Sequence, residues 1–339
     1  MAIKIGINGL GRIGRLVLRL SIENPEIEVV HINDKMDTNT MSYLIKYDSV
    51  HKQFKGEISA GDGFILLNGR RIKVTQYPSP DQIPWGDSEA EIIIESSGKF
   101  KTREMLEAHF TGKVRKVILT CPAEKESIDR MVVIGVNHAQ LKPSDRIISN
   151  ASCTTNCVAP MLKVIQDAFG IKKAFMNTVH PYTNNQALLD FPHGDLRRSR
   201  SAAINIIPTT STAIRAVMQV MPGFERRFDG FATRVPVVDG SYVELTAHLE
   251  KNVTVSMIRD EFRQASVNSL KEILEYSEDP LVSTDIINNP HSAIFDSLSV
   301  KVLGDDLVRI LAWYDNEFGY SNRIIDLAIY LARESIADC

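Results

Sequence analysis

The sequence predicts an α/β protein in which a Rossmann-type, doubly wound and mostly parallel sheet precedes an α+β domain with a largely antiparallel sheet. Three observations lead to this prediction. The chain opens with a strand-like run, a glycine-rich turn and a helix-like run. Apolar runs then alternate with helical segments up to about residue 150, and after Gly170 strand-like runs follow one another with few helices between them. A chain of 339 residues is long enough for two such domains.

Composition narrows the class of protein. The chain is 44% apolar and 24% charged with a net charge of −3, which is typical of a globular protein and does not suggest nucleic acid as the primary partner. No apolar run is long enough for a bilayer, and the N-terminus resembles a first strand and not a signal peptide. The four cysteines are too few and too scattered for a disulfide framework, so we expect a cytoplasmic protein.

The first elements are a strand at residues 3–7, a buried helix at 15–21 and a second strand at 28–32. The turn Gly9-Leu10-Gly11-Arg12-Ile13-Gly14 joins the first strand to the helix. A glycine-rich turn between a strand and a helix is typical of dinucleotide-binding folds, although such turns also occur without a ligand.

Each glycine of this turn has a different expected role. Gly9 allows the tight turn, Gly11 lets the backbone approach a pyrophosphate, and Gly14 lets the helix pack closely on the strand. Asp34 ends the second strand 20 residues after Gly14, the spacing of an acid that binds the adenosine ribose. Because this carboxylate would repel a 2′-phosphate, we predict NAD as the cofactor and not NADP.

Further strands are predicted at residues 92–95, 116–120 and 131–136, with a helix at 102–110. Asn68-Gly69 inside the run 64–74 indicates an antiparallel hairpin. Strand ends in a parallel sheet face the ligand, so Ser97, Gly98 and Thr120 are candidate cofactor contacts.

The second half contains mostly strand-like runs, a helix at residues 256–268 and a final amphipathic helix at 321–337. This pattern favours a largely antiparallel sheet covered on one face. The strand-like runs are residues 174–180, 230–237, 243–249, 292–303 and 307–314.

Cys153 is the candidate nucleophile. It stands where the strand-like run 146–148 gives way to a helix at 158–169, so it lies at a helix N-terminus, which favours a thiolate. Its serine and threonine neighbours argue against the alternative of a buried structural thiol. Cys157 at i+4 is expected in the core, and two cysteines at this spacing do not form a metal site.

Three basic residues accompany the thiol. His180 ends an apolar strand before a polar loop, where it is either a structural residue or a base that pairs with Cys153. Arg198 belongs to a basic cluster that is either a solvated surface, a subunit contact or a phosphate site. Arg234 lies within an apolar strand, where a charge needs an anionic partner.

At this point the chain resembles the phosphorylating, NAD-dependent glyceraldehyde-3-phosphate dehydrogenase family. The likeness extends over essentially the whole chain. It is carried by the glycine turn from Ile7 to Arg15, by Ser149 to Asn156, by Asp195-Leu196-Arg197-Arg198, by Asn205 to Thr209 and by Trp313 to Tyr320.

The resemblance implies that Cys153 attacks the aldehyde of a sugar phosphate, that His180 acts as base, and that inorganic phosphate releases the thioester as an acyl phosphate. It also implies a homotetramer. The domains would be an NAD-binding domain of residues 1–152 and 318–339, to which the C-terminal helix returns, and a catalytic domain of residues 153–317. The implied NAD contacts are Arg12, Ile13, Asp34, Thr120 and Asn316; the implied phosphate contacts are Thr183 and Arg234 for the substrate, and Ser152, Thr154, Arg198, Ser211 and Thr212 for the attacking phosphate.

Some positions depart from the family pattern, notably Thr212 where glycine is usual and Asn185 where aspartate is usual. Erythrose-4-phosphate dehydrogenase, which releases the acid to water, is therefore an alternative, although Thr183 favours the phosphorylating enzyme. An alternative of another class is a non-catalytic NAD-binding or RNA-interacting protein. The presence of Cys153, His180 and Asn316 together argues against it.

Overall fold

The computed structural model describes residues 2–337, with side chains through residue 333. The chain divides into two compact units. The first comprises the chain up to Val132, Ala139–Ala151 and the C-terminal residues from Ser321. The second comprises Val133–His138 and Ser152–Tyr320.

The first unit contains a sheet of nine strands in the order β3-β4-β5-β2-β1-β6-β7-β9-β8. All of its pairs are parallel except those of β4 with β3 and β5, which form the antiparallel excursion predicted from Asn68-Gly69. The strands are β1 (Ile3–Asn8), β2 (Ile27–Asn33), β3 (Ile58–Gly61), β4 (Phe64–Leu67), β5 (Arg70–Thr75), β6 (Ile92–Glu95), β7 (Lys116–Leu119), β8 (Arg130–Met131) and β9 (Ile147–Ser149).

The helices of this unit are α1 (Arg12–Glu23), α2 (Thr38–Lys46) and α3 (Arg103–Glu107). Helix α1 buries Leu16, Val17 and Leu18 and connects the parallel strands β1 and β2, as expected for a doubly wound sheet. The carboxyl ends of β1, β2 and β6 therefore meet at one edge, where ligands bind in this kind of sheet.

The second unit contains a sheet with the order β11-β12-β10-β13-β17-β15-β14, and β16 pairs with β17. It is mixed, with antiparallel pairs in the majority, and the parallel pair β10·β12 places His180 beside Arg234. The strands are β10 (Ile171–Pro181), β11 (Ile207–Thr209), β12 (Phe228–Val235), β13 (Ser241–Leu249), β14 (Leu274–Ser277), β15 (Ala293–Asp296), β16 (Lys301–Leu303) and β17 (Leu307–Tyr314).

Helix α4 (Cys153–Phe169) packs on this sheet together with α5 (Ala213–Val220) and α6 (Val255–Val267). Phe262 of α6 stacks on Phe295 of β15 with ring centroids 3.8 Å apart, inside a core that also includes Cys157. The last helix, α7 (Phe318–Ala337), buries Ile324, Leu327 and Leu331. No helix within the described chain has the length and apolar character needed to cross a membrane.

Two strand predictions were wrong in detail. Of the run 131–136 only Met131 belongs to a strand, as the second residue of β8, and Val132 and Val133 are buried in the irregular segment that follows. The run 292–303 is divided into β15 and β16 by a short 3₁₀ turn at Ser297–Ser299. Asp296 caps this turn by accepting hydrogen bonds from the backbone N–H groups of Leu298 and Ser299.

Candidate active site

The glycine turn of the first unit leaves room for a ligand at Gly11. A Cβ added there would meet no protein atom within 4 Å, whereas a Cβ on Gly14 would collide with the carbonyl oxygen of Gly9. Gly9 itself has φ 93° and is packed against the backbone of Ser97. The three glycines thus have the distinct environments that a dinucleotide cradle requires, and Gly11 is the one that opens to solvent.

Asp34 lies beside this turn. One of its carboxylate oxygens accepts the N–H of Leu10 at 2.6 Å, and the other accepts the N–H of Met36 at 2.9 Å. The carboxylate lines a cavity of about 230 Å³ together with Gly9, Gly11, Tyr77 and Ser97. This cavity and its fixed carboxylate fit an adenosine ribose.

Arg12 and Ile13 form the first turn of α1, whose N-cap Gly11 has no side chain to satisfy the helix N–H groups. The guanidinium of Arg12 is paired with Asp48 at 2.5 Å. Although burial acts in the opposite direction, hydrogen bonds from the backbone and from Arg12 lower the pKa of Asp48 to about 2. The start of α1 is therefore held in place and is suited to an anion such as a pyrophosphate.

The neighbouring strand ends carry the other predicted cofactor contacts. Ser97 follows β6 and lines the same cavity, and Gly98 has φ 71°. The Thr120 hydroxyl donates to the carbonyl oxygen of Glu95 at 3.1 Å, directly after β7.

In the second unit, Cys153 is the first residue of α4. Its N-cap is Ser152, whose hydroxyl accepts the N–H of Thr155 at 3.1 Å, and Ala151 just before it has φ 54°. A left-handed conformation at a residue with a Cβ costs about 1 kcal/mol. Ala151 adopts this conformation between the end of β9 at Ser149 and the start of α4 at Cys153.

His180 lies near the end of β10 and faces the thiol. Its Nε2 is 3.5 Å from the Sγ of Cys153, and its Nδ1 is 2.9 Å from the carbonyl oxygen of Pro181. Arg234, its register partner on β12, donates to the same carbonyl at 2.9 Å. Arg234 Nη1 also lies 2.8 Å from Nδ1, and a guanidinium can only donate. In the tautomer whose Nδ1–H donates to Pro181, Nε2 is unprotonated and can accept the thiol proton, whereas in the tautomer whose Nδ1 accepts from Arg234 the proton is on Nε2.

Burial dominates the titration of this pair. It raises the pKa of Cys153 to about 11, although Arg234 and the helix start oppose it. Burial and the positive charge of Arg234 lower the pKa of His180 to about 3. The start of helix α4 lowers the pKa of the thiol, as its position in the sequence predicted, but burial raises this pKa by more.

Tyr314 connects the elements around the thiol and was not predicted from the sequence. Its buried hydroxyl lies 2.9 Å from Thr154 Oγ1 on α4 and 3.0 Å from Thr178 Oγ1 on β10. Burial raises the pKa of Tyr314, so the phenol stays protonated. The only sequence signal was a tyrosine at the end of an apolar strand, which does not indicate its partners.

Arg198 and Arg234 give the site its positive charge. The Nε of Arg198 donates to Thr209 Oγ1 at 2.9 Å, and Thr209 in turn donates to Asp195 at 2.6 Å. The positive charge of Arg198, together with burial, lowers the pKa of Arg234. The buried Nε of Arg234 has no hydrogen-bond partner within the described chain, so an anionic ligand would satisfy it.

Three further residues predicted to contact phosphate, Thr183, Ser211 and Thr212, differ in how exposed their side chains are. Ser211 is half-buried and accepts the N–H of Ala213 at 3.3 Å. Thr212 is the exposed N-cap residue of α5, and its side chain makes no capping hydrogen bond. Thr183 is half-buried in the loop after β10, and the structure does not join it to Arg234 by a hydrogen bond.

Asn316 follows β17 and is buried. Ser241 donates to its Oδ1 at 2.7 Å, which fixes the orientation of the amide and leaves its nitrogen as a donor. Ser241 is a further residue that the sequence did not reveal.

Comparison with known proteins gives two family matches. Residues 3–103 match the NAD binding domain of glyceraldehyde 3-phosphate dehydrogenase, and residues 152–316 match its C-terminal domain. The chain is 49% identical over 325 residues to glyceraldehyde-3-phosphate dehydrogenase of Thermotoga maritima, covering 95% of this chain and 97% of that protein. It is 47% identical over 334 residues to glyceraldehyde-3-phosphate dehydrogenase 1 of Bacillus cereus, covering 98% and 99% respectively.

Proposed function

The chain belongs to the glyceraldehyde 3-phosphate dehydrogenase family, and we propose that Cys153 and His180 carry out the family's reaction in it. The protein is an NAD-dependent oxidoreductase that converts D-glyceraldehyde 3-phosphate and inorganic phosphate to 1,3-bisphosphoglycerate in glycolysis and gluconeogenesis. The observation that carries the residue assignment is the 3.5 Å approach of Cys153 Sγ to His180 Nε2.

The first step forms a carbon–sulfur bond. Cys153 attacks the aldehyde carbon, and the thiol proton passes to Nε2 of His180 in the tautomer whose Nδ1–H donates to Pro181. The carbonyl oxygen takes this proton from His180 and becomes the hydroxyl of the thiohemiacetal, which returns His180 to its neutral form. His180 then removes the hydroxyl proton as the carbon is oxidised to the thioester. NAD, when bound, supplies the hydride acceptor.

The second step breaks the carbon–sulfur bond. A phosphate oxygen attacks the thioester carbon, the acyl phosphate forms, and the sulfur leaves as a thiolate that regains its proton from His180. Arg198 and Arg234 neutralise the charge of the phosphate groups. We assign Arg234 and Thr183 to the substrate phosphate, and Ser152, Thr154, Arg198, Ser211 and Thr212 to the attacking phosphate.

The residues for NAD occur in both units. In the first, Gly9, Gly11 and Gly14 form the cradle, Arg12 and Ile13 begin the helix beneath the pyrophosphate, Asp34 binds the ribose, and Ser97, Gly98 and Thr120 complete the strand edge. In the second, Asn316 offers its amide to the nicotinamide carboxamide.

We further infer a homotetramer. The segment from residue 182 to 206 exposes large apolar side chains, including Leu188, Leu189 and Phe191, each more than 65% exposed. Exposed apolar side chains of this size are unfavourable in water, and contact with a second copy of the chain would bury them.

The free thiols Cys121, Cys153 and Cys157 suit a reducing compartment, so the cytoplasm is the proposed location.

The deciding experiment is the phosphate dependence of NADH formation with each sugar phosphate. Turnover of D-glyceraldehyde 3-phosphate is expected to need inorganic phosphate. Phosphate-independent turnover of erythrose 4-phosphate would contradict the acyl-phosphate step. No observation of the structure or comparison favours erythrose-4-phosphate dehydrogenase or a non-catalytic RNA-interacting protein.

A further inference from the structure

A row of polar side chains crosses the carboxyl edge of the first sheet beneath the cofactor cavity. Thr75, Asn33, Asn8 and Glu95 end the adjacent strands β5, β2, β1 and β6, and the register pairs each with the next. Glu95 is fully buried. A buried carboxylate without a cationic partner is costly, so its presence calls for an explanation.

The direction of each hydrogen bond at Glu95 is fixed. The indole N–H of Trp85 can only donate, and it lies 3.0 Å from Nδ1 of His109, which must accept. His109 is therefore the neutral tautomer with its proton on Nε2, 3.1 Å from Oε2 of Glu95. Asn8 donates to the same oxygen at 2.5 Å.

The hydrogen bonds from Asn8 to Asn33 and Thr75 also have a fixed donor and acceptor at each step. Since the nitrogen of Asn8 donates to Glu95, its oxygen accepts from Asn33 Nδ2 at 2.9 Å. The oxygen of Asn33 in turn accepts from the Thr75 hydroxyl and the Tyr77 N–H, each at 2.9 Å. No amide in the row can turn without leaving a buried donor unsatisfied.

The other carboxylate oxygen of Glu95 binds Ser97, which lines the cofactor cavity. Oε1 accepts the backbone N–H of Ser97 at 2.9 Å and also the Ser97 hydroxyl. Ser97 lines the cavity and packs against Gly9, so its position also limits the glycine turn.

We propose that Glu95 is a positioning residue for the adenosine half of NAD, and that the row and His109 hold its carboxylate in the orientation that fixes Ser97. This inference rests on the proposed function, because it takes the cavity at Asp34 to be the adenosine site. It assigns no chemistry to Glu95, which does not line the cavity.

The test is the variant E95Q, with E91Q as matched control. On one side a glutamine NH₂ group would meet Asn8 and His109, which both donate, and on the other it would meet the Ser97 hydroxyl, which can rotate to accept. The NH₂ group is therefore expected to face Ser97, where it removes the acceptor of the Ser97 N–H. Glu91 lies just before the same strand and pairs with exposed Arg115, so E91Q changes a carboxylate without touching the row.

Dissociation constants for NAD, AMP and nicotinamide mononucleotide are measured by calorimetry, and kcat at saturating NAD by NADH formation. E95Q is expected to weaken NAD and AMP binding about tenfold, with mononucleotide binding and kcat within about twofold. Unchanged AMP binding in a folded E95Q would overturn the inference, whereas a wild-type protein that binds no NAD would overturn the proposed function itself.

If E95Q does not fold, amide hydrogen exchange of the wild type without NAD decides the question. The Ser97 N–H is expected to exchange at least about a hundredfold more slowly than the N–H of the exposed neighbour Gly98. Equal rates would show that Glu95 does not hold Ser97.

Discussion

His180 and Arg234 lie opposite each other in parallel register and both approach the carbonyl oxygen of Pro181, at 2.9 Å each. This single acceptor orients a base and a cation toward the space at Cys153. Burial and the positive charge of this cation both lower the pKa of His180, which favours a neutral imidazole.

Substitutions of Cys153 and His180 are expected to impair NADH formation without weakening NAD binding. C153A removes the nucleophile and abolishes NADH formation, while H180N lowers kcat by about 10²- to 10⁴-fold because the proton acceptor is lost. Stopped-flow absorbance with D-glyceraldehyde 3-phosphate measures both, and NAD affinity is the control that stays within about twofold. Substantial turnover by C153A would refute the nucleophile assignment.

The arginines are expected to act on phosphate binding. R234K cannot satisfy the site bidentately, so KM for the sugar phosphate rises about tenfold or more, and R198K raises KM for inorganic phosphate similarly. The control is R200K, because Arg200 is exposed and pairs with Asp190 in the same loop. Initial-rate kinetics that show no change for R198K and R234K would reassign the phosphate sites.

A methyl group at Gly11 of the glycine turn is expected to leave the stability of the protein almost unchanged but to weaken NAD binding. In G11A the added carbon meets no protein atom, so stability changes by less than about 0.5 kcal/mol, whereas the carbon occupies the approach of the pyrophosphate and weakens NAD binding about tenfold or more. Thermal unfolding and NAD calorimetry test the two statements separately. If G11A binds NAD normally, the pyrophosphate lies elsewhere.

Cofactor choice is expected to depend on the charge of Asp34. D34S removes the carboxylate, so KM for NAD rises about tenfold and turnover with NADP becomes measurable. The variant D37S, at the exposed N-cap of α2, changes a nearby carboxylate and is expected to leave the NAD to NADP ratio unaltered.

Acid is expected to destabilise the first unit through His31. Burial lowers its pKa from 6.5 to about 4, so the unfolded chain binds a proton in this range before the folded chain does. The stabilisation is complete above about pH 6.5 and is lost as the pH falls toward 4, and His31 contributes a drop of about 2 kcal/mol to the free energy of unfolding between about pH 7.5 and pH 5.

Urea unfolding at the two pH values measures this change, which H31Q should reduce. An identical pH dependence in H31Q and the wild type would exclude His31 as its source.

Local signals were sufficient to predict part of this molecule. The spacing of Gly9, Gly11, Gly14 and Asp34 reflects contacts within one strand–helix–strand unit, and it predicted the cradle. The partners of Tyr314 are Thr154 and Thr178, which are distant in the sequence, so no local pattern could indicate them.

The missed elements have a similar explanation. Helix α2 buries only Met41 and Ile45, so it shows little amphipathic pattern. In the run 131–136, Val132 and Val133 are buried after strand β8 has ended, and hydrophobicity alone does not distinguish a buried loop from a strand.

Because His180 and Arg234 are paired in the register of β10 and β12, their relative positions depend on the number of residues in each strand. Side chains alternate between the faces of a sheet, so one residue inserted into β12 before position 234 would turn the guanidinium to the opposite face. Insertions and deletions accumulated during evolution are therefore expected outside β10 and β12, where a change in chain length does not reverse either side chain.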